Sequence, residues 1–500
     1  MGSKSKPTKL QGPKGTRDLY PTEVLKRRYI QNAWRDASLR CGFDEIEGPT
    51  FESTELYSVK SGEGILGELF QAFSCKGGKE GIEEILEAGR AKYALRPEFT
   101  PTLARMYAAR AKELPKPCKW FTAGPYFRAE RPQRGRLREF LQWNVDVIGD
   151  DGSADSRTLA DIECIDCCVN LLDSVGFTPA DMKLEIGDRR AIEGLALHAG
   201  LKPDQLQDFF EWLDGASKRS DETNQRLIDE RGFPSELVST LKEIEKRAVE
   251  AVQKGTELAN AIGVEMSVIG DQQRLVRTYS ALGLSTWCSP LSLSVVRGLA
   301  YYTGTVFEAL ADGERAVAGG GRYDNLIELM GGPPTPAVGF AMGDVVLGNL
   351  LEDKGLMPEG AELMEAAARP QVSIRPEAFV VPNGDADNES LVHTLVANLR
   401  RGVESDEWRS RDDRKPWQSD RYSVRPLHAR VSYKSTRNLG KLRADAEKQH
   451  AKFFVEIHAD NKVEVTNMDK RESITSDTHG SFHVDPSAPN YVGRVLSARC

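Results

Sequence analysis

The residues of this sequence with the clearest chemical potential lie in one short segment, 127–148. Its central part is rich in arginine: Arg128, Arg131, Arg134, Arg136 and Arg138, with Glu130 and Glu139 between them. Guanidinium groups bind phosphate and carboxylate oxygens through paired, planar hydrogen bonds. The segment is therefore a candidate site for an anionic ligand, although a charge run alone more often marks a solvated hairpin.

The strand predicted after this loop favours the functional interpretation. Two sets of side chains alternate from residue 140: Leu141, Trp143, Val145 and Val147 point to one side, and Phe140, Gln142, Asn144 and Asp146 to the other. A half-buried strand normally turns its polar face to water. Here Arg128, Glu130 and the loop arginines converge on that face, so it is predicted to line the anion site.

The bulk properties narrow the class of protein. A chain of 500 residues should form two or three domains. The composition is that of a soluble globular protein, and no apolar run is long enough to span a bilayer. Residues 1–14 are polar and lysine-rich, without the apolar segment of a secretory signal. A cytoplasmic location is therefore expected, and the formal charge of −8 means that local basic patches must hold any nucleic acid.

Several other chemistries find no support in the sequence. Cys164, Cys167 and Cys168 have a C-x-x-C spacing, but they fall within an apolar pattern of helical period over 159–172. A core helix is the better interpretation than a zinc or redox site. Apart from His198, the histidines lie in the last quarter of the chain, so no Ser-His or Cys-His nucleophile is indicated. There is no G-x-x-x-x-G-K-[ST] phosphate loop.

The elements that must position the candidate site follow from periodicity and punctuation. A helix is predicted over 23–41, an edge or interface strand over 43–51 because it contains Pro49, and a helix capped by Thr100 with Pro101 next. Residues 188–270 have the pattern of a helical insertion. Strand-like sequence returns at 291–310, glycines cluster at 319–324, and a long helix is predicted from about residue 343.

A second unit is predicted after a linker at 366–376. It contains a strand over 378–382, a helix over 391–399 and a strand over 452–457. The helix before the last strand is predicted to carry Lys434, Arg437, Lys441 and Lys448 on one side, as a nucleic-acid-facing surface; an ordinary amphipathic helix fits equally well. The charged segment 405–422 has no assigned role, and the residues after 471 are expected to be loosely ordered.

Several segments, in this order, resemble the class II aminoacyl-tRNA synthetases and specifically the histidyl-tRNA synthetase family. Residues 14–21 resemble the amino-terminal signature of that family, and Pro49 matches the proline of motif 1, the dimer-forming element. Residues 127–140 resemble motif 2, and 297–308 resemble the histidine-recognition motif. The resemblance extends over about residues 14–470, and four segments in register are far more specific than any one of them.

The resemblance implies an α+β fold. It would have a class II antiparallel-sheet catalytic core with a helical insertion, and a C-terminal α/β anticodon-binding domain. The expected boundaries are 1–187 and 271–365 for the core, 188–270 for the insertion, 376–470 for the anticodon-binding domain and 471–500 for a tail.

The activity implied is ATP-dependent ligation of histidine to tRNA by a homodimer. L-histidine would react with ATP to give histidyl-adenylate, and the histidyl group would then pass to the 3′ end of tRNA(His). Mg²⁺ would bridge the ATP phosphates, and no structural metal is expected. The alternative is a non-catalytic, histidine-sensing regulatory subunit of ATP phosphoribosyltransferase, a related protein that generally lacks the anticodon-binding domain.

The resemblance also implies a role for individual residues. Glu98, Thr100 and Gln142 would hold the ammonium and carboxylate groups of histidine, and Asp146, Tyr301 and Tyr302 would read its imidazole. Arg128 would contact the histidine carboxylate and the ATP α-phosphate, and Arg297 would lie across that phosphate from it. Glu130 would recognise the adenine amino group and Phe140 would stack on the ring. Arg134, Arg136 and Arg138 would contact the tRNA acceptor end.

The sequence departs from the family pattern at two of these places. Val346 stands where motif 3 usually has the arginine that contacts the ATP tail, and Arg322 is a candidate replacement. Ala300 stands where an acidic residue is common. Taken singly, the site residues also have ordinary interpretations: the tyrosine pair as strand core, Arg297 as a surface ion pair, Glu98 as a helix-start carboxylate and 319–321 as a turn.

Overall fold

The structure is a computed structural model. It describes residues 11–61, 67–72, 79–216, 219–293, 295, 302–311, 316–368, 372–383, 388–418, 420–434, 436–458, 462–474, 482–483, 492 and 496.

The described elements alternate between helices and short strands along the chain. The strands are β1 Asp44–Glu45, β2 Phe51–Ser53, β3 Gln71–Ala72, β4 Tyr93–Leu95, β5 Cys118–Phe127, β6 Glu139–Ile148, β7 Met182–Asp188, β8 Thr305–Ala311, β9 Ala318–Arg322, β10 Ala337–Gly343, β11 Ala378–Asn383, β12 Val403–Glu404, β13 Tyr422–Val424, β14 Ala429–Val431, β15 Phe453–His458, β16 Lys462–Asn467, β17 Glu472–Ile474 and β18 Phe482–His483. The helices are α1 Pro21–Arg40, α2 Thr54–Ser61, α3 Lys79–Ala88, α4 Thr100–Arg110, α5 Ala154–Ser174, α6 Arg189–His198, α7 Leu206–Ala216, α8 Asp221–Glu230, α9 Leu237–Lys254, α10 Leu258–Ile262, α11 Met266–Ala281, α12 Leu326–Leu329, α13 Asp344–Asp353, α14 Gly360–Ala368, α15 Asn388–Arg401, α16 Asp406–Arg409 and α17 Leu439–Lys448.

A seven-stranded sheet organises the first three quarters of the chain. Its strand order is β1-β5-β6-β10-β9-β8-β7, and every pairing is antiparallel except that of β1 with β5. Helices α1 and α5 pack on one face of this sheet, where their apolar residues share a core with β6. The expected α+β architecture with an antiparallel-rich sheet is confirmed.

Strand β6 has the two faces that its sequence predicts. Trp143 stacks on Trp34 of α1 with ring centroids 6.2 Å apart, and Val145 and Val147 lie in the same core. The opposite face holds Gln142, Asn144 and Asp146, each at most 7% exposed. Because three polar side chains are buried on that face without facing water, they need internal partners or a ligand.

Helix α5 places the closely spaced cysteines in the interior. Cys164, Cys167 and Cys168 are all fully buried free thiols in the core beneath the sheet. Among the described residues, no three His, Cys, Asp or Glu side chains are grouped so that they could hold a metal ion. The core-helix interpretation of this C-x-x-C spacing is confirmed.

Helix α4 corrects one sequence prediction. Thr100 is the first helical residue, Phe99 occupies the N-cap position, and no side chain caps the helix. Thr100 therefore does not cap α4 as predicted. Pro101 is still within the first turn, where its missing N–H costs no hydrogen bond.

Helices α6–α11 form a continuous helical region between β7 and β8. It begins at Arg189 and its last helix ends at Ala281, past the expected boundary at residue 270. Its core is built around Phe209, Trp212 and Phe233, whose rings pack edge to face and stacked. This region contacts the sheet through α6 against β7, and α11 packs against α5, the helix on the face of the sheet.

The C-terminal unit is a second, mixed sheet covered by α15 and α17. Strand β11 pairs in parallel with β14 and β15, and β15 pairs antiparallel with β16. Helix α17 begins only at Leu439, after Asn438 caps it. Lys434 and Arg437 therefore precede the helix, which contradicts their predicted place on its side. Lys434 instead forms an ion pair with Asp445 at 3.1 Å.

The segment 405–422, for which no role was predicted, connects the two units. The guanidinium of Arg421 donates to the Ser174 carbonyl oxygen at 2.8 Å, and the indole of Trp417 donates to Glu362 at 3.0 Å. Ser174 ends α5 and Glu362 lies in α14, so this segment attaches the C-terminal unit to the unit formed by the first three quarters of the chain.

Candidate functional site

The candidate site lies on the polar face of the β5–β6 hairpin. The register places Gln142 beside Gly124 of β5 and Gly343 of β10, and Asp146 beside Gly339. Strand β9 continues the same face with Gly319 and Gly321. Glycine on the neighbouring strands leaves open space above the sheet; a Cβ at position 339 would come within 1.9 Å of the Asp146 carboxylate.

A cavity of about 260 Å³ opens at one end of this face, and we call it the hairpin cavity. Its lining residues are Arg128, Gly135, Arg136, Leu137, Phe140, Gln142, Ala316, Val317, Ala318, Gly319, Ala341, Gly343, Val345 and Val346. The lining joins the end of β5, the arginine-rich loop, β6, β9, β10 and the start of α13. The sequence-predicted residues Arg128, Arg136, Phe140 and Gln142 thus share one cavity.

Arg128 is held in place at the mouth of this cavity. Its Nε donates to the Pro97 carbonyl oxygen at 3.1 Å, and its guanidinium lies 5.2 Å from the Phe140 ring centroid. Burial lowers the pKa of Arg128, and the carboxylates of Glu98 and Glu68 partly offset this. A desolvated cation that stays charged interacts strongly with any anion that enters.

The first turn of α13 forms another wall of the hairpin cavity. Gly343, Val345 and Val346 line it, and the amino-terminal end of a helix favours negative charge. Asp344, between them, accepts from the Leu141 backbone N–H at 2.9 Å and pairs with Arg17 at 2.6 Å. The amino-terminal end of α13 therefore provides partial positive charge next to Val346, whose own side chain is uncharged.

Gln142 reaches into the cavity with an unused acceptor. It is 7% exposed, and its side-chain Oε1 has no hydrogen-bond partner among the described residues. A buried carbonyl oxygen without a partner is costly, by about 1–3 kcal/mol. A ligand with an N–H group, such as an ammonium, would satisfy this oxygen.

Asp146 lies further along the same face and is fixed by a neighbour. The hydroxyl of Tyr323 donates to Asp146 Oδ1 at 2.5 Å, and Asp146 is 4% exposed. Asn144, between Gln142 and Asp146, donates to the Tyr126 hydroxyl at 3.2 Å. The Tyr323 hydroxyl thus fixes the orientation of the Asp146 carboxylate. A carboxylate that recognises a ligand through hydrogen bonds must be held in a fixed orientation.

A cluster of carboxylates surrounds Tyr302. Burial raises the pKa of Tyr302 well above its ordinary value, and Glu98, Asp146 and Glu308 raise it further. Glu98 lies in the loop before α4, and Thr100 follows it as the first residue of that helix. Glu98, Asp146 and Glu308 are therefore near enough to Tyr302 to disfavour its ionisation.

The loop arginines have different partners. Arg136 lines the hairpin cavity and contacts the Glu130 carboxylate. Arg134 points instead to Asp353 at the end of α13, at 2.7 Å. Arg138 donates to the backbone oxygens of Glu130 and Lys14 at 3.2 and 3.4 Å. Of these three arginines, Arg136 alone therefore lines the hairpin cavity.

Two sequence predictions of site residues cannot be placed. Arg297 and Tyr301 lie outside the described residues, as does Ala300. Their assigned roles stay predictions.

Arg322 is not available to replace the motif 3 arginine. It is 1% exposed and pairs with Asp161 at 2.6 Å, Asp150 at 2.8 Å and Asp324 at 3.3 Å. These carboxylates raise the pKa of Arg322 despite its burial. The hypothesis that Arg322 contacts the ATP tail is therefore wrong, since its guanidinium is already used inside the fold.

Three residues near the site were missed in the sequence. Tyr323 holds Asp146, Glu308 adds charge beside Tyr302, and Arg96 donates to the Pro125 and Gly48 carbonyl oxygens at 2.9 and 3.0 Å. A signal existed for Glu308, because it is a carboxylate between the apolar residues of β8. Tyr323 follows the glycine cluster directly, but nothing in the sequence pairs it with Asp146.

Comparison with known proteins gives a consistent result. A family model described as histidyl-tRNA synthetase matches residues 15–344. The histidine–tRNA ligase of Opitutus terrae is 38% identical over 348 residues, which are 69% of this chain and 75% of that protein. The histidine–tRNA ligase of Thermococcus kodakarensis is 37% identical over 383 residues, or 75% of this chain and 80% of that protein.

Solved structures share the fold. The histidyl-tRNA synthetase of Nostoc sp. PCC 7120 aligns with a TM-score of 0.57 at 19% identity, over 99% of this chain and 100% of that one. An ATP phosphoribosyltransferase regulatory subunit/histidyl-tRNA synthetase from Bacillus halodurans aligns with a TM-score of 0.54 at 19% identity, over 91% and 100% of the two chains. At such identity these likenesses show the fold alone.

Proposed function

Because this chain belongs to the histidyl-tRNA synthetase family, we propose that it is a histidine–tRNA ligase that forms histidyl-adenylate from L-histidine and ATP and charges tRNA(His). The observation that carries the proposal is the buried polar face of β6. It joins an arginine-bordered cavity to a carboxylate cluster, which suits a nucleotide phosphate at one end and a cationic amino acid at the other.

Histidine would occupy the region between Gln142 and Tyr302. Its ammonium group would donate to the free Gln142 oxygen and to Glu98, with Thr100 beside them. Asp146, oriented by Tyr323, would accept from the imidazole N–H, and Tyr302 would contact the other ring nitrogen. Tyr301 and Arg297 keep their predicted roles in histidine binding.

ATP would occupy the hairpin cavity. Phe140 and Arg128 would border its ring and α-phosphate. Glu130 does not line the cavity but contacts Arg136, which does, and it would accept from the adenine amino group. Because Arg136 lines this cavity, we propose that it contacts the phosphates as well as, or before, the tRNA end. Together with the first turn of α13 it compensates for the uncharged Val346.

The first step needs no protein nucleophile. The histidine carboxylate attacks the α-phosphorus of ATP, the bond to the bridging oxygen breaks, and pyrophosphate leaves. Arg128, with Arg297 proposed opposite, would stabilise the charge that gathers on the phosphate oxygens. In the second step the terminal ribose hydroxyl of tRNA attacks the adenylate carbonyl carbon and AMP leaves, and Arg134 and Arg138 are proposed to contact the acceptor end.

Magnesium belongs to the ATP substrate in this proposal. Phosphate oxygens would supply much of its coordination, because Mg²⁺ is usually bound by substrate phosphates together with few carboxylates. The ion would neutralise phosphate charge when bound.

A homodimer is proposed from the surface around motif 1. Phe51 of β2, Val59 of α2 and Leu329 of α12 are 55%, 47% and 61% exposed, and α2 contacts α12. Neighbouring exposed apolar side chains commonly mark a protein interface.

A cytoplasmic location is also proposed. None of the described helices combines the length and apolar character that crossing a membrane would need.

Histidine-dependent exchange of radiolabelled pyrophosphate into ATP tests the proposal. Exchange that requires histidine, followed by charging of tRNA(His), would support it. Well-folded protein that binds histidine but neither exchanges pyrophosphate nor charges tRNA would contradict the ligase assignment. That result would favour the regulatory-subunit alternative.

A further inference from the structure

A second cavity, unrelated to the hairpin cavity, lies between the two units of the chain. Its volume is about 390 Å³, and it is bordered by α1, α14 and the segment around residues 416–426. The lining residues that matter for its chemistry are Tyr29, Asp36, Arg40, Trp417, Tyr422 and Arg425. We call it the interface cavity.

Arg40 is an incompletely paired buried cation in this cavity. It is 3% exposed, and its Nε has no hydrogen-bond partner among the described residues. Its terminal nitrogens reach the Arg400 and Asn170 carbonyl oxygens only at 3.5 and 3.4 Å. Since a buried guanidinium with a donor left without a hydrogen bond is costly, an anion that enters the cavity would gain a strong interaction.

The other lining charges leave the cavity receptive to an anion. Arg425 donates to Glu377, which is buried outside the lining, so its own charge is balanced there. Asp36 is the carboxylate among the described lining residues, against the two guanidinium groups of Arg40 and Arg425. The described lining therefore carries more positive than negative charge.

Aromatic side chains supply the rest of the walls. Tyr29, Trp417 and Tyr422 lie on the α1 side and on the 405–422 side of the cavity. Rings of this kind bind planar bases by stacking with little preference for sequence. The volume falls within the range of about 300–1,000 Å³ that is usual for small-molecule sites.

We propose that the interface cavity binds a nucleoside monophosphate, with its phosphate on Arg40 and its base against Tyr29, Trp417 and Tyr422. Such a ligand contacts both α1 of the first unit and the segment that attaches the C-terminal unit. It therefore stabilises the contact between the units once its concentration exceeds its Kd, by an amount that grows with the logarithm of the concentration. The proposal does not depend on the function proposed for the hairpin cavity.

Calorimetric titration of the full-length protein with UMP tests the proposal directly. UMP is chosen because its base lacks the adenine amino group. We expect one site per chain and a rise in the thermal midpoint. Arg40→Met should weaken binding by roughly 10-fold or more, the loss expected for a charge-assisted hydrogen bond to a buried guanidinium. Arg128→Ala, in the hairpin cavity, is the matched control and should leave UMP affinity unchanged.

Two further measurements keep the result unambiguous. Trp417→Ala removes a ring wall without touching Arg40 and should also weaken binding, which covers the case in which Arg40→Met fails to fold. An azido derivative of UMP should label peptides of α1 or of 405–422. Labelling of the 127–148 hairpin, unchanged affinity in both variants, or inorganic phosphate binding as tightly as UMP would each overturn the proposal.

Discussion

Replacing Tyr323 by phenylalanine tests how the structure positions Asp146. The substitution removes one hydroxyl, whose hydrogen bond to Asp146 Oδ1 is 2.5 Å long and buried, and leaves the ring in the core beside α4. A hydrogen bond to a charged group contributes about 1.5–3 kcal/mol. By the relation of about 1.4 kcal/mol to a factor of ten, histidine should bind roughly 10- to 150-fold more weakly.

The assay is pyrophosphate exchange at varied histidine and fixed, saturating ATP. We expect the KM for histidine to rise by that factor, while the KM for ATP stays close to that of the wild type, because Asp146 does not line the hairpin cavity. Tyr279→Phe is the matched control. Tyr279 is also fully buried, its hydroxyl has no partner among the described residues, and it lies in α11 away from the site.

The outcome that refutes the reasoning is specific. If Tyr323→Phe and Tyr279→Phe have the same KM for histidine, the hydroxyl does not orient a histidine-reading carboxylate. If the KM for ATP rises equally, the substitution has disturbed the sheet as a whole.

The remaining predictions concern the loop, the histidine motif and the buried ion pairs. Arg136→Ala should raise the KM for ATP in the exchange assay by about 10-fold or more, because a charged contact is lost. Arg134→Ala should leave exchange unchanged and weaken only tRNA charging. Equal effects of the two substitutions on exchange would contradict the assigned orientations. Arg297→Ala should abolish adenylate formation while histidine still binds measurably by calorimetry, and near-normal exchange would show its role to be wrong. Glu163→Gln should lower the free energy of unfolding by about 3–5 kcal/mol in urea titrations, because it removes the buried carboxylate that pairs with Lys119 and Arg400. Although burial by itself raises the pKa of Glu163, Arg400 and Lys119 lower it to about 2, below the ordinary 4.5. Its ionic contribution should therefore be complete above pH 4.5 and disappear as the pH falls towards 2, and a stability loss in the variant that is the same at pH 7 and pH 2 would contradict this.

The ion pairs and hydrogen bonds of Glu163 also show why the contact between the two units could not be predicted from the sequence. Glu163 accepts from Lys119 at 2.7 Å, from Arg400 at 3.0 Å and from the Tyr433 hydroxyl at 3.1 Å. In the sequence, Glu163 is one of three acidic residues within an apolar helical pattern, and nothing distinguishes it from Asp161 and Asp166. Its partners come from β5, α15 and the segment after β14, and no local period connects these positions.

Arg322 shows the converse case, a residue that its sequence position suggested for the site but whose side chain is used elsewhere in the fold. Its place after three glycines made it a reasonable candidate for phosphate binding. Burial against Asp150, Asp161 and Asp324 removes it from the site, and two of these carboxylates precede it by more than 150 positions. The type of a residue indicates what it can bind, but only its neighbours decide whether it is available.

The sequence by itself determined the two faces of β6, the core character of α5 and the family to which the motifs belong. These features depend on local periodicity and on residue types in a fixed order, both of which the linear chain contains. Tertiary structure alone decided that Tyr323 orients Asp146, that Arg136 rather than Arg134 faces the hairpin cavity, and that Arg40 lies incompletely paired between the units. Each of these outcomes depends on which distant side chain lies within hydrogen-bonding distance of a polar group. Tertiary packing, not sequence spacing, sets that distance.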